Sequence, residues 1–217
     1  MFRAAVFDCD GVLVDTEGIQ LKGWNRILSQ FDISLSRENY PDYAGKSVRM
    51  VAADLIKKHS LSASIDELIA ERRDIVTEWL RNNGVDMMPY AEEAVNFFKD
   101  HGFSVAVCSG SSGIEVDIKL EKTGLKGLFG DYVITGSDVR RGKPFPDIYA
   151  LAADRLGLET GQCIAFEDTM YGVCAAKEAG LYCIAVPNEY SAGQDFSEAD
   201  NIAGSLKEAV LICEKLI

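Results

Sequence analysis

The sequence is short of the residues that several kinds of functional site require. It has only two histidines, His59 and His101, so a histidine-based triad or metal centre has little to draw on. The six cysteines form no C-x-x-C pair, and three lie in or beside apolar runs, which favours buried free thiols over disulfides or a zinc site. No G-x-S-x-G sequence is present, so the nucleophile turn of a serine hydrolase is not indicated.

Positive charge and long apolar runs are also scarce. Lysine and arginine number 22 against 34 acidic residues, and the net charge of −12 disfavours a nucleic-acid or anionic-membrane surface. No apolar run approaches the roughly 20 residues of a membrane-spanning helix. Asp8 and Asp10 interrupt the N-terminal apolar run too early for a signal peptide. We therefore expect a monomeric cytoplasmic protein without nucleic-acid or membrane partners, in which any anion site is locally positive.

The apolar residues that are present predict an α/β architecture. From Thr16 to about Gly84 their spacing predicts helices and turns but no strand. Elsewhere short apolar runs alternate with helical periodicity, which predicts a parallel five-stranded sheet with helices on both faces. The five runs are 4–7, 103–108, 132–134, 163–166 and 183–186. We expect a sheet domain of residues 1–15 and 86–217, and an inserted helical unit of residues 16–85.

The strongest chemical signal directly follows the first apolar run. Asp8 and Asp10 leave the predicted strand, and Gly11 lets the chain turn away. Two carboxylates so close are costly to ionise together unless a cation lies between them, and Mg2+ suits their oxygens. One could act as a nucleophile and the other as a proton donor and acceptor. An isolated D-x-D is usually a polar loop, and Val12 and Leu13 exclude an EF-hand because they replace a required oxygen ligand and glycine.

Three further groups of polar residues follow later strands, at the edge where open parallel sheets bind ligands. Ser109 and Gly110 precede a helix whose N-terminus favours phosphate, although a serine-rich capping turn is an equally good interpretation. Lys143 lies in a loop held by two prolines, where a solvated lysine is the alternative. Glu167 and Asp168 end the fourth strand and by themselves could also precede a helix as its cap.

Taken together, these groups resemble the haloacid dehalogenase superfamily. The stretch from Asp8 to Thr16 matches its first motif (D-x-D-G-[VT]-[LI]-x-D-[TS]) at every defined position. Ser109, Lys143 and the acidic pair after the fourth strand stand in the order of the other three motifs. The resemblance covers the whole chain, and its K-P-x-P-D and F-E-D-[ST]-x-x-G sequences are similar to the subgroup of sugar-phosphate phosphatases and β-phosphoglucomutase. It implies a Rossmann-like core with a helical cap domain.

The resemblance also implies an activity and a cofactor. The expected function is Mg2+-dependent hydrolysis of a small phosphorylated metabolite, a sugar phosphate, through an aspartyl-phosphate. Asp8 would attack phosphorus, Asp10 would protonate the leaving oxygen and later activate water, and Lys143 would neutralise the transferred group. The residues that would hold Mg2+, with Asp10 using its backbone carbonyl, are Asp8, Asp10, Glu167 and Asp168.

Substrate binding is expected from both domains. Ser109 and neighbouring amides, including that of Gly110, would bind phosphoryl oxygens. The cap would exclude water and recognise the leaving group. Residues 45–49 of the cap resemble its substrate-specificity loop, in which Lys46 or Arg49 would bind a hydroxyl or a second phosphate. Solvated charges at the start of a helix are an equally good interpretation of these two residues.

Two other functions stay open on the same fold. In a β-phosphoglucomutase-type mutase a sugar hydroxyl receives the phosphoryl group. Such mutases carry a His five residues after the Asp that matches Asp15, and a Lys just past the second motif. This chain has Gln20 and Ser112 there, which favours hydrolysis, although the loop 45–49 keeps some mutase-like character. A catalytically silent acidic binding protein is the third possibility. Carbon–halogen chemistry is disfavoured because Asp10 is present.

Overall fold

A six-stranded parallel sheet forms the centre of the molecule, in a computed structural model that describes residues 1–216. The strands of the described chain are β1 (Ala4–Phe7), β2 (Val14–Asp15), β3 (Asp86–Met87), β4 (Ser104–Ser109), β5 (Val133–Thr135), β6 (Cys163–Glu167), β7 (Tyr182–Ala185) and β8 (Asn201–Ile202). The sheet order is β5-β4-β1-β6-β7-β8, and β2 pairs with β3 separately. The first strand of the chain therefore lies inside the sheet, between β4 and β6.

Helices cover both faces of this sheet, as predicted. They are α1 (Glu17–Leu28), α2 (Val48–His59), α3 (Ile65–Asn83), α4 (Ala91–Asp100), α5 (Gly113–Lys122), α6 (Lys126–Phe129), α7 (Asp147–Leu156), α8 (Met170–Ala179) and α9 (Leu206–Cys213). Side chains of β1 alternate between two apolar cores: Phe7 packs with α4, α5 and α9, and Val6 packs with α7 and α8. The predicted α/β Rossmann-like fold is thereby confirmed.

The inserted helical unit consists of α1, α2 and α3, which lie between β2 and β3 in the chain. It has an apolar core of its own, with Trp24, Ile27 and Leu55 among its buried residues. Ser64 and Glu67 close the N-terminus of α3 by exchanging hydrogen bonds with each other's backbone amides. No strand interrupts α1 to α3 in the described chain, in agreement with the periodicity. The division into two domains at residues 16–85 stays a prediction.

The structure differs from the predicted elements in several places, among them the short paired strands β2 and β3, the strand β8 and the start of α1. A sixth strand, β8, pairs with β7 beyond the five that were predicted. It has only two residues and its Ile202 is exposed, so no apolar run marks it. Helix α1 begins at Glu17, a full two turns before the first apolar position, Trp24, that was used to predict it. Glu17 and Gln20 in those first turns line the cavity described below.

The remaining expectations concern cysteine and the membrane. All six cysteines are free thiols, and five of them are buried. Within residues 1–216, every helix is too short or too polar to cross a bilayer. The cytoplasmic location and the monomeric state stay predictions.

Candidate active site

The register of the three central strands brings the predicted site residues to one edge of the sheet. Phe7 of β1 lies beside Val107 of β4 and Phe166 of β6. Asp8 follows Phe7 on β1 and Glu167 follows Phe166 on β6, so these two residues lie side by side at the edge of the sheet. Parallel strands end at the same edge, which is where such sheets bind ligands. The first and fourth motifs are therefore adjacent because β1 pairs with β6.

Asp8 and Lys143 form a buried ion pair at this edge. The Lys143 ammonium donates to Asp8 Oδ1, to Glu167 Oε1 at 2.5 Å and to the Cys108 carbonyl at 3.1 Å. Burial would lower the pKa of Lys143, but attraction to Asp8 and Glu167 outweighs it and raises that pKa. A charged lysine therefore faces the first carboxylate. This is how a chain with a net charge of −12 builds a positive group into its site.

Three buried carboxylates surround that lysine. Oxygens of Asp8, Glu167 and Asp168 lie within 4.8 Å of one another. Burial, opposed by Lys143 and reinforced by neighbouring carboxylates, raises the pKa of Asp8 to about 8. Burial, reinforced by Asp8, Glu17 and Glu167, raises the pKa of Asp168 well above its usual range. One lysine cannot neutralise three carboxylates, and Glu167 Oε2 is buried without a hydrogen-bond partner. Oxygen donors in this arrangement fit a hard divalent cation such as Mg2+.

Neighbouring groups hold the acidic pair of β6 in place. The Tyr149 hydroxyl donates to Glu167, and Asn188 Nδ2 donates to Asp168 Oδ2 at 2.7 Å. Helix α8 passes so close to Glu167 that a Cβ at Gly172 would lie 1.9 Å from Glu167 Oε2. Gly172 is the glycine of the F-E-D-T-x-x-G sequence. Its place in that motif is explained by this close approach, which no larger residue permits without moving the carboxylate.

Asp10 binds a different set of donors from Asp8. Five side chains donate to its two oxygens: Lys119, Thr16 (2.5 Å) and Gln20 (3.3 Å) to Oδ1, and Ser109 (2.9 Å) and Ser111 (3.0 Å) to Oδ2. Burial would raise the pKa of Asp10, but Lys119 and the hydroxyl donors outweigh it and lower that pKa below its ordinary range. Two carboxylates separated by one residue therefore have opposite pKa shifts.

The glycine after Asp10 permits the turn that separates these environments. Gly11 has a φ of +83°, a conformation that side chains rarely adopt. A Cβ there would also lie 2.1 Å from Asp168 Oδ2. The turn predicted at Gly11 is confirmed. The close approach of Asp168 is a second reason for a glycine at this position, and it depends on the tertiary fold.

A cavity of about 100 Å³ lies between this edge of the sheet and the inserted helices. Lining residues on the sheet side are Asp8, Asp10, Gly110, Ser111, Lys143, Asp168 and Thr169. Lining residues on the helical side include Glu17, Gln20, Trp24, Tyr40, Tyr43, Lys46, Val48, Val51 and Arg72. Residues of the sheet edge and of the inserted helices therefore line the same cavity.

Three polar atoms on the helical side are buried without hydrogen-bond partners. They are Glu17 Oε2, Gln20 Oε1 and Arg72 Nε. Burial and the nearby Asp10 raise the pKa of Glu17 to about 7. An unsatisfied buried polar atom costs about 1–3 kcal/mol. A ligand with hydroxyl groups could form the hydrogen bonds that these three atoms lack, and would bind more tightly for that reason. Glu17 and Arg72 were not selected from the sequence, because charged positions of a helix are ordinarily solvated. Gln20 was considered only as the residue in the place of the mutase histidine.

Only two of the four predicted substrate-binding residues line the cavity. Gly110 and Lys46 line the cavity, and Lys46 also pairs with Asp54 at 2.7 Å. Arg49 does not line it. Its guanidinium instead pairs with Asp66 on the exposed surface, because the inward positions at the start of α2 are occupied by apolar side chains. Ser109 is fully buried beneath the cavity and donates to Asp10; its neighbour Ser111, which was not selected, lines the cavity.

Lys119 is the principal site residue that was not predicted. It lies on α5, is fully buried, and donates to Ser111 Oγ at 2.9 Å as well as to Asp10. Val116 and Leu120 on the same helix face the apolar core. Charged residues beside an apolar stripe usually lie at its solvated margin, so the sequence contains no signal that this one is buried.

Known proteins match this chain over most of its length. A model of the haloacid dehalogenase-like hydrolase family matches residues 2–180. A phosphorylated carbohydrates phosphatase from Thermotoga maritima is 29% identical over 216 residues, which cover 96% of each chain. The structure of a CbbY variant from Rhodobacter sphaeroides in complex with xylulose-1,5-bisphosphate has a TM-score of 0.84, with 26% identity over 96% of each chain. A β-phosphoglucomutase from Clostridium difficile has a TM-score of 0.86, covering 99% of this chain and 97% of that one. It is only 21% identical, so that likeness concerns the fold alone.

Proposed function

The chain belongs to the haloacid dehalogenase-like hydrolase family and is an enzyme of the phosphatase type, and we propose that it hydrolyses a sugar phosphate through an aspartyl-phosphate, with Mg2+ as cofactor. The observation that carries this proposal is the buried ion pair of Asp8 and Lys143 beside three clustered carboxylates. Phosphoryl transfer depends mainly on in-line placement and on neutralisation of charge, which this arrangement can supply.

In the first step, an oxygen of Asp8 attacks phosphorus and the bond between phosphorus and the leaving oxygen breaks. The leaving oxygen keeps the bonding electron pair and takes a proton from Asp10. Lys143 holds the nucleophile by its ion pair and places positive charge beside the phosphoryl group. Asp10 must be protonated at this stage, and the negative charge of an incoming phosphate favours that form by raising the pKa of Asp10.

In the second step, water attacks phosphorus of the aspartyl-phosphate and gives a proton to Asp10. The bond between phosphorus and the Asp8 oxygen breaks, which releases phosphate and restores the Asp8 carboxylate. Lys119 and the hydroxyl donors favour ionised Asp10, which is the form that accepts a proton. Asp10 therefore alternates between acid and base while Asp8 alternates between carboxylate and acyl phosphate.

The residues that would hold Mg2+ are Asp8, Asp168, the backbone carbonyl of Asp10 and Glu167. Bound there, the ion would neutralise the carboxylate cluster and charge on the phosphoryl oxygens. Glu167 offers only Oε2 for this purpose, since Lys143 and Tyr149 already donate to Oε1.

The inserted helical unit would act as the cap that recognises the leaving group. Glu17, Gln20 and Arg72 offer both acceptors and donors to sugar hydroxyls, and Lys46 would bind a further hydroxyl or phosphate. Gly110 and Ser111 on the sheet side would bind the transferred phosphoryl group, while Ser109 would hold Asp10 from below. The Thermotoga relative, a phosphatase of phosphorylated carbohydrates, supports this substrate class.

Two residues support hydrolysis over mutase chemistry. Gln20, which replaces the mutase histidine, donates to Asp10 but cannot change its charge near neutral pH. Ser112, which replaces the mutase lysine, caps α5 by accepting from the Glu115 amide and does not line the cavity. A silent binding protein is disfavoured by the intact group of Asp8, Asp10 and Lys143.

The test is phosphate release from a panel of sugar phosphates and other metabolite phosphates in the presence of Mg2+. We expect release from several of them by the wild-type enzyme and none by Asp8→Asn. An enzyme that releases phosphate from no member of the panel would contradict the proposal and favour a binding protein. Mutase activity is tested with β-glucose 1-phosphate and catalytic β-glucose 1,6-bisphosphate. Formation of glucose 6-phosphate much faster than free phosphate would overturn hydrolysis as the main reaction.

A further inference from the structure

We propose that Lys119 is a positioning residue that holds the Asp10 carboxylate in the place from which it transfers protons. The inference rests on the proposed function, because it concerns the acid and base of that reaction. Lys119 itself would not touch the reacting atoms. It would act through Asp10, in contrast to Lys143, which contacts the nucleophile.

The hydrogen bonds around Lys119 form a closed triangle. Its ammonium donates to Asp10 Oδ1 and, at 2.9 Å, to Ser111 Oγ. The Ser111 hydroxyl in turn donates to Asp10 Oδ2 at 3.0 Å. Each oxygen of the carboxylate is therefore tied to the same ammonium, one directly and one through Ser111. Such a bidentate arrangement restricts rotation of the carboxylate, which a single hydrogen bond would not.

Stability does not explain a lysine at this place. The Lys119 side chain is fully buried, and removing an ammonium from water costs several kcal/mol that an ion pair only partly restores. Apolar residues in place of a buried ion pair are often neutral or stabilising. The neighbouring α5 residues Val116 and Leu120 already pack into the core. A buried charge aimed at Asp10 therefore points to a role in the site.

The reaction gives a reason to fix this carboxylate. The leaving oxygen of the first step and the water of the second occupy the same side of phosphorus, opposite Asp8, in an in-line displacement. One carboxylate held in one place can therefore serve both steps. Thr16 and Gln20 contact the same oxygen as Lys119 but are neutral, so they cannot replace its attraction.

The first test is the variant Lys119→Met, which keeps the length of the side chain but removes the ammonium. We expect kcat for the fastest sugar phosphate of the panel to fall about 10–100-fold, part of the 10²–10⁴ that acid–base catalysis contributes. KM and inhibition by inorganic phosphate should change less than about threefold, because Lys119 does not line the cavity. A loss confined to KM would contradict a role through Asp10.

The second test separates positioning of Asp10 from general damage to the site. 4-Nitrophenolate leaves without help from an acid, so the single-turnover rate of phosphoenzyme formation from 4-nitrophenyl phosphate should fall less than about threefold in Lys119→Met. The same rate from the sugar phosphate should fall by about 10-fold or more. Equal losses with the two substrates would overturn the proposal, because misplacement of Asp8 or Lys143 would affect both alike.

Two further variants control for folding. Val116→Ala lies on the same helix, and it should lower the melting temperature without changing the ratio of the two rates. Lys119→Gln keeps an N–H donor and should show a smaller loss with the same preference between substrates; it replaces Lys119→Met if that variant does not fold. A wild-type enzyme active on neither substrate would overturn the proposed function. An active wild type with a substrate-independent loss would overturn only the role of Lys119.

Discussion

The two sides of the cavity differ in how fully their polar atoms are satisfied. On the sheet side, Asp8, Asp10 and Lys143 all have side-chain partners within the protein, and the unpartnered oxygen Glu167 Oε2 belongs to the carboxylate cluster proposed to hold Mg2+. On the helical side, Glu17, Gln20 and Arg72 each have a buried atom without one. Both sides are buried and charged, so burial alone does not account for the difference.

The difference corresponds to two tasks. Groups that stabilise a transition state work best when the protein holds them in place beforehand, because no reorganisation is then needed during reaction. Groups that recognise a ligand must leave hydrogen-bonding capacity for it. We therefore expect changes on the sheet side to act on kcat and changes on the helical side to act on KM or stability.

The largest effect should come from Asp8→Asn. The amide keeps the shape of the side chain but cannot become the nucleophile, so kcat should fall by about 1,000-fold or more. Phosphate release is the measurement, with circular dichroism to establish that the fold survives. Retention of a tenth of the wild-type activity would remove Asp8 from the role of nucleophile.

Removal of Mg2+ should rank second. Chelation should lower activity about 100-fold or more, because three carboxylates would then repel the substrate phosphate. Saturating Mg2+ should also raise stability by about 2–3 kcal/mol at 100 times its dissociation constant, seen as a rise in melting temperature. The control is Asp168→Asn, in which the rise should shrink. Full activity after thorough chelation would be incompatible with a metal cofactor.

The third effect concerns Glu17 on the helical side, where a substitution should change the stability of the protein and the dependence of that stability on pH. The pKa of Glu17 is raised from 4.5 to about 7, so the folded state favours the neutral acid. Its contribution to stability is fully present below about pH 4.5 and is lost as the pH rises through about 7. Glu17→Gln should therefore stabilise the protein by about 1–3 kcal/mol at pH 8 and by much less at pH 4.5. Urea unfolding at both pH values measures this, and an equal change at both would show that Glu17 does not titrate as described.

The smallest effect should come from Lys46. Lys46→Met should raise KM about 3–10-fold for a substrate with a second anionic or hydroxyl group and leave kcat nearly unchanged, because its partial pairing with Asp54 limits its contribution. Arg49→Met is the matched comparison three residues further on, in the first turn of α2, and its exposed pair with Asp66 predicts a KM within about twofold of wild type. A larger effect at Arg49 than at Lys46 would reverse this assignment.

The sequence by itself determined the edge of the sheet at which the carboxylates gather. Asp8 directly follows an apolar strand, and Glu167 and Asp168 end another, so placing both strands in one parallel sheet was enough to bring these carboxylates together. The predicted α/β fold and the helical insertion depended on periodicity, which is also local. Strand β8 was missed because two residues have no periodicity.

Only the tertiary structure decided which charged residues of the helices enter the site. Lys119 of α5 and Arg72 of α3 have the sequence context of solvated helix residues, yet both are buried. Their burial depends on how α3 and α5 pack against each other, where Arg72 also pairs with Glu115 at 2.9 Å. Helix-to-helix contacts between distant segments set these positions, and no spacing within one segment encodes them.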